Sequence, residues 1–399
     1  MRVLIMCTPA ASHLTPMVPL LWALRTAGHE VLVAGQPDIT DAAVAAGLPA
    51  AAIGDRYDAA EVLRSGLAPG RRPNESGRAQ VTELNPAVLI QPWLLHARYL
   101  TSDYLAFARQ WRPDLVLSDP MELSAAAVAG ILEVPLVHHR WDLDTGGDGV
   151  RKRAHASLGA RFARLGLRGE LPRPVLSVDP CPPSVQLPAA VESATPVRYV
   201  PFNGSGTVPQ WCERPPLGRR VAVTFGAMTA LLNGMPMIRH VVDALAGLPD
   251  TETLVTLPGP YAAQLAPSAP SVQVVEPLPL HLFLDSCALV VHHGGTGSTL
   301  TSCAFGLPQL VLPQLGNEPL WADRLAAAGA ARAVTVPEQQ NDPSLLRDAA
   351  RALLEEPDHA EAARRIAAEM AALPTPADVV PLLEKAAAHP AHRPGRAVS

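Results

Sequence analysis

No stretch of this chain is apolar for long enough to cross a bilayer. The longest candidates, such as residues 125–137, contain Glu133 and Pro135 and fall short of the roughly 20 residues a span needs. A secretory leader is not expected either: MRVLIMCTP sets one arginine before a strand-length apolar run and continues into sequence of folded type, so a cytoplasmic location is expected. A cysteine pattern is also missing, since Cys7, Cys181, Cys212, Cys287 and Cys303 are odd in number and none falls in CxxC spacing. That pattern suggests neither a disulfide frame nor a zinc site, and the thiols are expected reduced and mostly buried. There is no excess of basic charge, the net charge being −5, and the patch at Arg151, Lys152 and Arg153 reads as a solvated helix face or loop. Nucleic acid is not an expected partner. No short repeat marks a solenoid.

What is present is a chain of 399 residues, 48% hydrophobic and 17% charged, rich enough for buried cores and too long for a single ordinary one. Two domains are expected. In the first half, strand-like runs at residues 3–7, 30–34, 114–117 and 135–139 alternate with helical patterns at 16–27 and 124–130, Gly28 stopping the first helix. This alternation predicts βαβ units on a parallel sheet. Residues 171–218 change character, with PRP, DPCPPS, VPFNGSG and ERPPLG in close succession, and read as a loop-rich connector. Strand-like runs resume at 220–225, 253–256, 272–275, 289–292 and 309–312, with helices at 236–246, 343–356, 359–372 and 377–389 and a frayed tail.

Residues 290–300 read VVHHGGTGSTL. The run 289–291 predicts a buried strand and 298–305 the helix that follows, which puts the glycines at a strand-to-helix turn. Such a turn offers backbone N–H groups and the positive end of a helix dipole, and glycine lets an anion come close, so a phosphate is the expected guest. The pattern is neither the dinucleotide fingerprint GxGxxG nor a P-loop ending in GKS or GKT. A histidine ahead of the paired glycines adds a donor for a diphosphate oxygen; the plain alternative is a tight turn with a buried, satisfied histidine.

Together with FGLPQLVLPQLGNEPLWADRLAAAGA at 305–330, the HHGG segment resembles the donor-binding signature of GT-B glycosyltransferases. More closely, it is similar to the bacterial enzymes that place deoxysugars on macrolide, enediyne and aromatic polyketide antibiotics. The resemblance extends to SHLTPMVPLLWALRTAGHEV, RPDLVLSD, DPCPPSVQLP with RYVPFNGSG, and LPTPADVV, and so covers nearly the whole chain. It implies an α/β fold of two doubly wound Rossmann-like domains facing a central cleft: an acceptor-binding domain at 1–205, a linker at 206–219, a nucleotide-sugar domain at 220–376, and a C-terminal helix and tail at 377–399.

The same resemblance assigns roles. His13, in SHLTP, occupies the place of the base that deprotonates the acceptor hydroxyl, a task suited to a side chain that titrates near neutrality. Asp119 is the candidate to orient it, with Asp114 a rival that precedes its strand and Asp142 or Asp144 a third possibility. His293, Gly294, Gly295, Thr296, Gly297 and Ser298 would hold the diphosphate, Leu278 the pyrimidine base through its backbone, and Gly226 would close over the donor from the other side. At 317 and 318 relatives commonly carry Asp-Gln for the sugar hydroxyls, whereas this chain has Asn317 and Glu318; either the roles are shifted by one residue or the loop has lost direct sugar contact. Trp93, Trp141 and Asp144 are the candidates for the acceptor side, while Met17, Trp111, Phe202 and Trp211 could join an apolar cleft or equally belong to cores.

The implied reaction is an inverting, metal-independent transfer of a deoxysugar from a nucleoside diphosphate, TDP preferred over UDP, to a hydroxyl of a hydrophobic polyketide-type aglycone. It calls for no cofactor, and a homodimer is left open. The rival readings are a sugar-nucleotide epimerase and a catalytically silent relative that assists a partner transferase or only binds a glycoside.

Overall fold

The computed structural model describes residues 1–65, 67–75, 90–144, 147–216, 218–265 and 269–388, which fall into two compact units. One unit holds the described residues of 1–59, 90–198 and 373–388; the other holds those of 60–75 and 199–372. The chain thus passes into the second unit at residue 60, returns, and comes back to the first with its final helix.

The first unit is built on seven parallel strands: β1 (Arg2–Met6), β2 (Glu30–Gly35), β3 (Ala50–Ala52), β4 (Leu115–Ser118), β5 (Leu136–His139), β6 (Leu176–Asp179) and β7 (Thr195–Pro196). Their order is β3-β2-β1-β4-β5-β6-β7. Val3, Leu4, Ile5 and Met6 on β1 are fully buried, because a parallel sheet covered on both faces needs apolar residues at every position and not at alternate ones. The second unit has β8 (Arg219–Thr224), β9 (Thr251–Thr256), β10 (Val272–Val275), β11 (Leu289–His292), β12 (Gln309–Val311) and β13 (Ala331–Ala333), again parallel, in the order β10-β9-β8-β11-β12-β13. Two doubly wound Rossmann-like sheets are therefore present, as the alternation predicts.

Each sheet reverses its winding once, between β1 and β4 in the first unit and between β8 and β11 in the second. A crevice opens outside the carboxyl ends of strands at such a point, because the connections leave in opposite directions. Met6 pairs with Ser118 across the first reversal and Thr224 with His292 across the second, so residues 7–13, 119–122, 225–229 and 293–298 follow directly into the two crevices.

Two expectations are corrected. The connector at 171–218 carries β6, the short helix Pro188–Glu192 and β7; β6 pairs with β5 and β7, and β7 is the edge strand, where Pro196 costs few ladder bonds. Helical structure also begins earlier than Pro16: Ala11–Leu14 is already a helical turn, continued by the 3-10 turn Thr15–Met17 and the helix Val18–Thr26. Pro16 fits because it lies in the first turn of its own segment, where its missing N–H has no partner to lose.

Candidate active site

His13 sits in the turn of helix after β1, and Asp119 directly follows β4, so the adjacency of those strands brings together residues more than a hundred positions apart. His13 Nδ1 lies 3.2 Å from Asp119 Oδ1, an ion-pair distance that falls off the axis of a straight hydrogen bond. Asp119 is fully buried and otherwise satisfied: its Oδ2 accepts from the Thr8 backbone N–H at 2.8 Å, and its Oδ1 from the Thr8 hydroxyl and the Met121 N–H, both at 2.8 Å. Burial by itself would raise this carboxyl; the His13 charge, with the hydrogen bonds from Thr8, outweighs it and holds the group below its ordinary value. The carboxylate is thereby kept ionised and immobile beside the imidazole. Asp114 accepts from the Arg2 N–H at 2.7 Å, at the amino end of β1 and so away from this crevice.

Trp141 stacks on the His13 ring, with centroids 3.7 Å apart and 28° between planes. Trp93, on the helix Gln91–Trp111, stands 6.4 Å from it. Both acceptor-side tryptophans are therefore at the histidine, whereas Met17 is fully buried in the core, Trp111 lies under the Arg2 guanidinium at 4.5 Å, and Trp211 packs edge-on against Phe283 in the second unit. Asp144 pairs with Arg140 at 2.7 Å, and Arg140 also meets Asp179 at 3.0 Å. A cavity of about 530 Å³ opens within this unit, its walls including Pro120, Glu122, His138, Arg140 and Asp144.

Glu122 and His96 carry no sequence motif. Glu122 Oε1 accepts from the Ser124 N–H at 3.0 Å while Oε2 lies 3.6 Å from His96 Nδ1, and His96 Nε2 meets Gln36 Oε1 at 2.8 Å. Burial raises the Glu122 carboxyl.

In the second unit the two adjacent histidines separate in role. His292 is fully buried: its Nδ1 accepts from the Gly294 N–H at 3.0 Å, so its Nε2 carries the proton toward Gln309 Oε1 at 2.8 Å. Burial pulls its pKa down to about 3. The satisfied structural histidine of the plain alternative is this one. His293 instead turns into the crevice, 16% of its side chain accessible; burial still lowers it to about 4, against the Thr224 backbone, which favours the charged form.

Close approach is what requires glycine in this turn. Gly294 has φ +94°, and a Cβ there would come within 3.1 Å of Glu318 Cβ. A Cβ on Gly295 would collide with His293 Nε2. Gly295 is the N-cap of the helix Thr296–Ala304, no side chain caps that end, and the His293 ring lies over it. Gly226, at the turn after β8, approaches the same ring, 3.5 Å separating its would-be Cβ from His293 Cε1. An uncapped helix end plus a ring nitrogen at its mouth can hold an anion.

Leu278 packs in the cluster of Leu280 and Phe283 that also touches Trp211, so an aromatic does stand near the proposed base-binding stretch, supplied from the connector. Asn317 is the N-cap of the helix Glu318–Ala327. Glu318 folds back: its Oε2 accepts from the N–H groups of Gln314 at 2.6 Å and Leu315 at 2.9 Å, and its Oε1 stands 3.8 Å from His293 Nε2. Among the described residues no group of three or more His, Cys, Asp or Glu side chains could hold a metal ion.

Paired parallel sheets, each with its polar residues gathered where the winding reverses, are the construction of GT-B glycosyltransferases, and solved structures of that class superpose on this chain. The spinosyn rhamnosyltransferase SpnG in complex with thymidine diphosphate matches with a TM-score of 0.84 and 35% identity, over 96% of this chain and all of the other. Residues 22–226 match the N-terminal domain, and residues 239–386 the C-terminal domain, of the family described as erythromycin biosynthesis protein CIII-like. The chain belongs to that family of glycosyltransferases. Its relatives include the 10-deoxymethynolide desosaminyltransferase of Streptomyces venezuelae, 31% identical with 97% of each chain covered. The aclacinomycin-T 2-deoxy-L-fucose transferase of Streptomyces galilaeus is 32% identical over 99% of this chain and 98% of its own.

Proposed function

We propose that this protein transfers a deoxysugar from a nucleoside diphosphate, TDP in preference to UDP, to a hydroxyl of a polyketide-type natural product, with inversion at the anomeric carbon. The observation that carries this reading is the His13–Asp119 pair at the first winding reversal, matched by the His293–glycine turn at the second. The TDP preference is supported by the relative that binds thymidine diphosphate, and the acceptor class by the macrolide and anthracycline relatives.

In this scheme His13 Nδ1 faces Asp119, which leaves Nε2 to take the acceptor proton. The oxygen then forms its bond to the anomeric carbon as the bond to the diphosphate breaks on the opposite face. Asp119 stabilises the imidazolium without taking its proton. The aglycone is assigned to the crevice at His13, against Trp93 and Trp141, with Asp144 at its polar wall. Leaving-group charge is met by His293 and the amides of Thr296, Gly297 and Ser298, with Gly226 closing the turn, Leu278 at the base and Asn317 beside the sugar. The scheme calls for no metal.

The test is a comparison of wild type and His13→Ala with a TDP-deoxysugar and a panel of macrolide and anthracycline aglycones, in the presence of EDTA. Loss of kcat by about 10²- to 10⁴-fold with donor KM held is expected, since general-base help is of that size. Undiminished turnover by the variant would remove the base assignment. Retained anomeric configuration in the product would remove single displacement.

A further inference from the structure

We propose that Glu318 is the counter-ion of His293 and that the two make donor binding proton-linked: the ring is neutral in the free protein and takes up a proton as the diphosphate arrives. The inference rests on the assignment of the diphosphate to the His293–Ser298 turn and goes beyond it.

Three observations in the second unit converge. Glu318 is nearly buried, and its Oε2 is committed to the amides of Gln314 and Leu315, so the carboxylate is fixed in place with Oε1 turned to His293 Nε2 at 3.8 Å. At that distance it attracts a charged imidazole without forming a close hydrogen bond to a neutral one. Second, His293 Nδ1 is buried and makes no close hydrogen bond, the Thr224 backbone favouring a proton on the ring, while Nε2 hangs over Gly295 at the uncapped helix end. With its single proton on Nδ1, a neutral ring presents a lone pair at Nε2, which repels a phosphate oxygen; only the imidazolium donates from both nitrogens. Third, among the described residues the groups facing the ring leave it uncharged when alone: β11 sets His292 behind it, β8 contributes the Thr224 backbone and Gly226, and the enclosure disfavours charge. Glu318 by itself does not overcome that enclosure; Glu318 and a diphosphate together do.

The consequence for the reaction is specific. The leaving diphosphate gains negative charge as the glycosidic bond breaks, and an imidazolium held by Glu318 is already in place to meet it. Glu318 is therefore a positioning residue, acting through His293, and the sugar-facing role at this loop falls to Asn317.

Calorimetric titration of the whole protein with thymidine diphosphoglucose tests this, because neither of that ligand's phosphates titrates near neutrality. Heats are measured near pH 6 in buffers of different ionisation enthalpy, which gives the protons exchanged. Wild type is expected to take up a fraction approaching one proton per diphosphate, and its affinity to fall toward about tenfold per pH unit over the range where uptake is complete. Glu318→Gln, which keeps an oxygen for the Gln314 and Leu315 amides, and His293→Gln, which cannot protonate, should each bind about fivefold or more weakly with the uptake lost. Binding by wild type without proton uptake, or uptake unchanged in both variants, overturns the proton linkage and leaves the diphosphate site standing. Absence of binding by folded wild type overturns both.

Discussion

His292 and His293 are neighbours in the chain and opposite in environment, and the difference is set by which way each leaves its strand. His292, the last residue of β11, points into the sheet and joins the Gly294 N–H to Gln309, whereas His293 is past the strand and faces the crevice. Burying an imidazole uncharged has a stability signature. His292 and His139 have folded-state pKa values lowered from 6.5 to about 3 and about 4 by burial. Below 6.5 the unfolded chain binds protons that the folded one refuses, so stability falls as pH falls through that window and is fully present above it. Asp119 has the ordinary acid sense: its depressed pKa stabilises the fold above 3.8 and that contribution is lost further down. The melting temperature is therefore expected to drop steadily from about pH 6.5 toward pH 4, and less steeply in His292→Gln, as thermal denaturation at a series of pH values would show. Equal slopes in the two proteins would rule out His292 as a source of the pH dependence.

At the scale of elements, the turn between β11 and the helix Thr296–Ala304 is where local sequence and ligand chemistry meet. Gly294 adopts φ +94°, which side chains rarely allow, but Gly295 has φ −60° and ψ 138°, a conformation alanine takes without strain. Replacing Gly295 by alanine should therefore leave the backbone alone and push the His293 ring off the helix mouth. A loss of TDP affinity of about tenfold or more is expected, with an unfolding free energy within about 1 kcal/mol of wild type. Calorimetry and urea unfolding on the same sample would check both halves. If affinity is unchanged, the ring does not contact the anion. The turn itself is legible in VVHHGGTGSTL, because paired glycines soon after an apolar run mark a strand that ends in a tight turn. The strands β6 and β7 are not: four and two residues long, among prolines, they form only because β5 is already there to pair with β6.

At the scale of the whole molecule, the chain order does not follow the units. Arg72 lies among first-unit sequence yet is buried in the second, donating to Gln340 Oε1 at 2.8 Å and to the Pro337 carbonyl at 3.1 Å, with Glu75 at 2.8 Å to neutralise it. The last helix, Pro376–Ala388, belongs to the first unit: it packs on the helix Val18–Thr26, buries Val379, Val380 and Leu383, and pairs Glu384 with His29 at 2.9 Å. Each such aliphatic side chain is worth about 1.5–3 kcal/mol on burial. Ending the chain after Ala372 should lower the melting temperature of the first unit, read by differential scanning calorimetry, while TDP still raises that of the second. A uniform loss of both transitions would show that the helix supports more than its own unit.

By itself the sequence determined the fold class: its alternating periodicity predicts parallel sheets, Asp119 and the HHGG turn stand just after strand-like runs, and the resemblance of SHLTP and HHGG to GT-B glycosyltransferases supplied the roles. Those signals are local, since one strand and the residues behind it carry them. Only the tertiary structure decided which candidates meet. Strand order, with β1 beside β4 and β8 beside β11, brings Asp119 and not Asp114 to His13, and sets Gly226 against His293. Packing turned Trp93 and Trp141 to the histidine and set Trp111 and Trp211, partly buried, against cores, and it folded Glu318 back onto Gln314 and Leu315. Such choices depend on contacts between residues far apart in the chain, which no local pattern encodes.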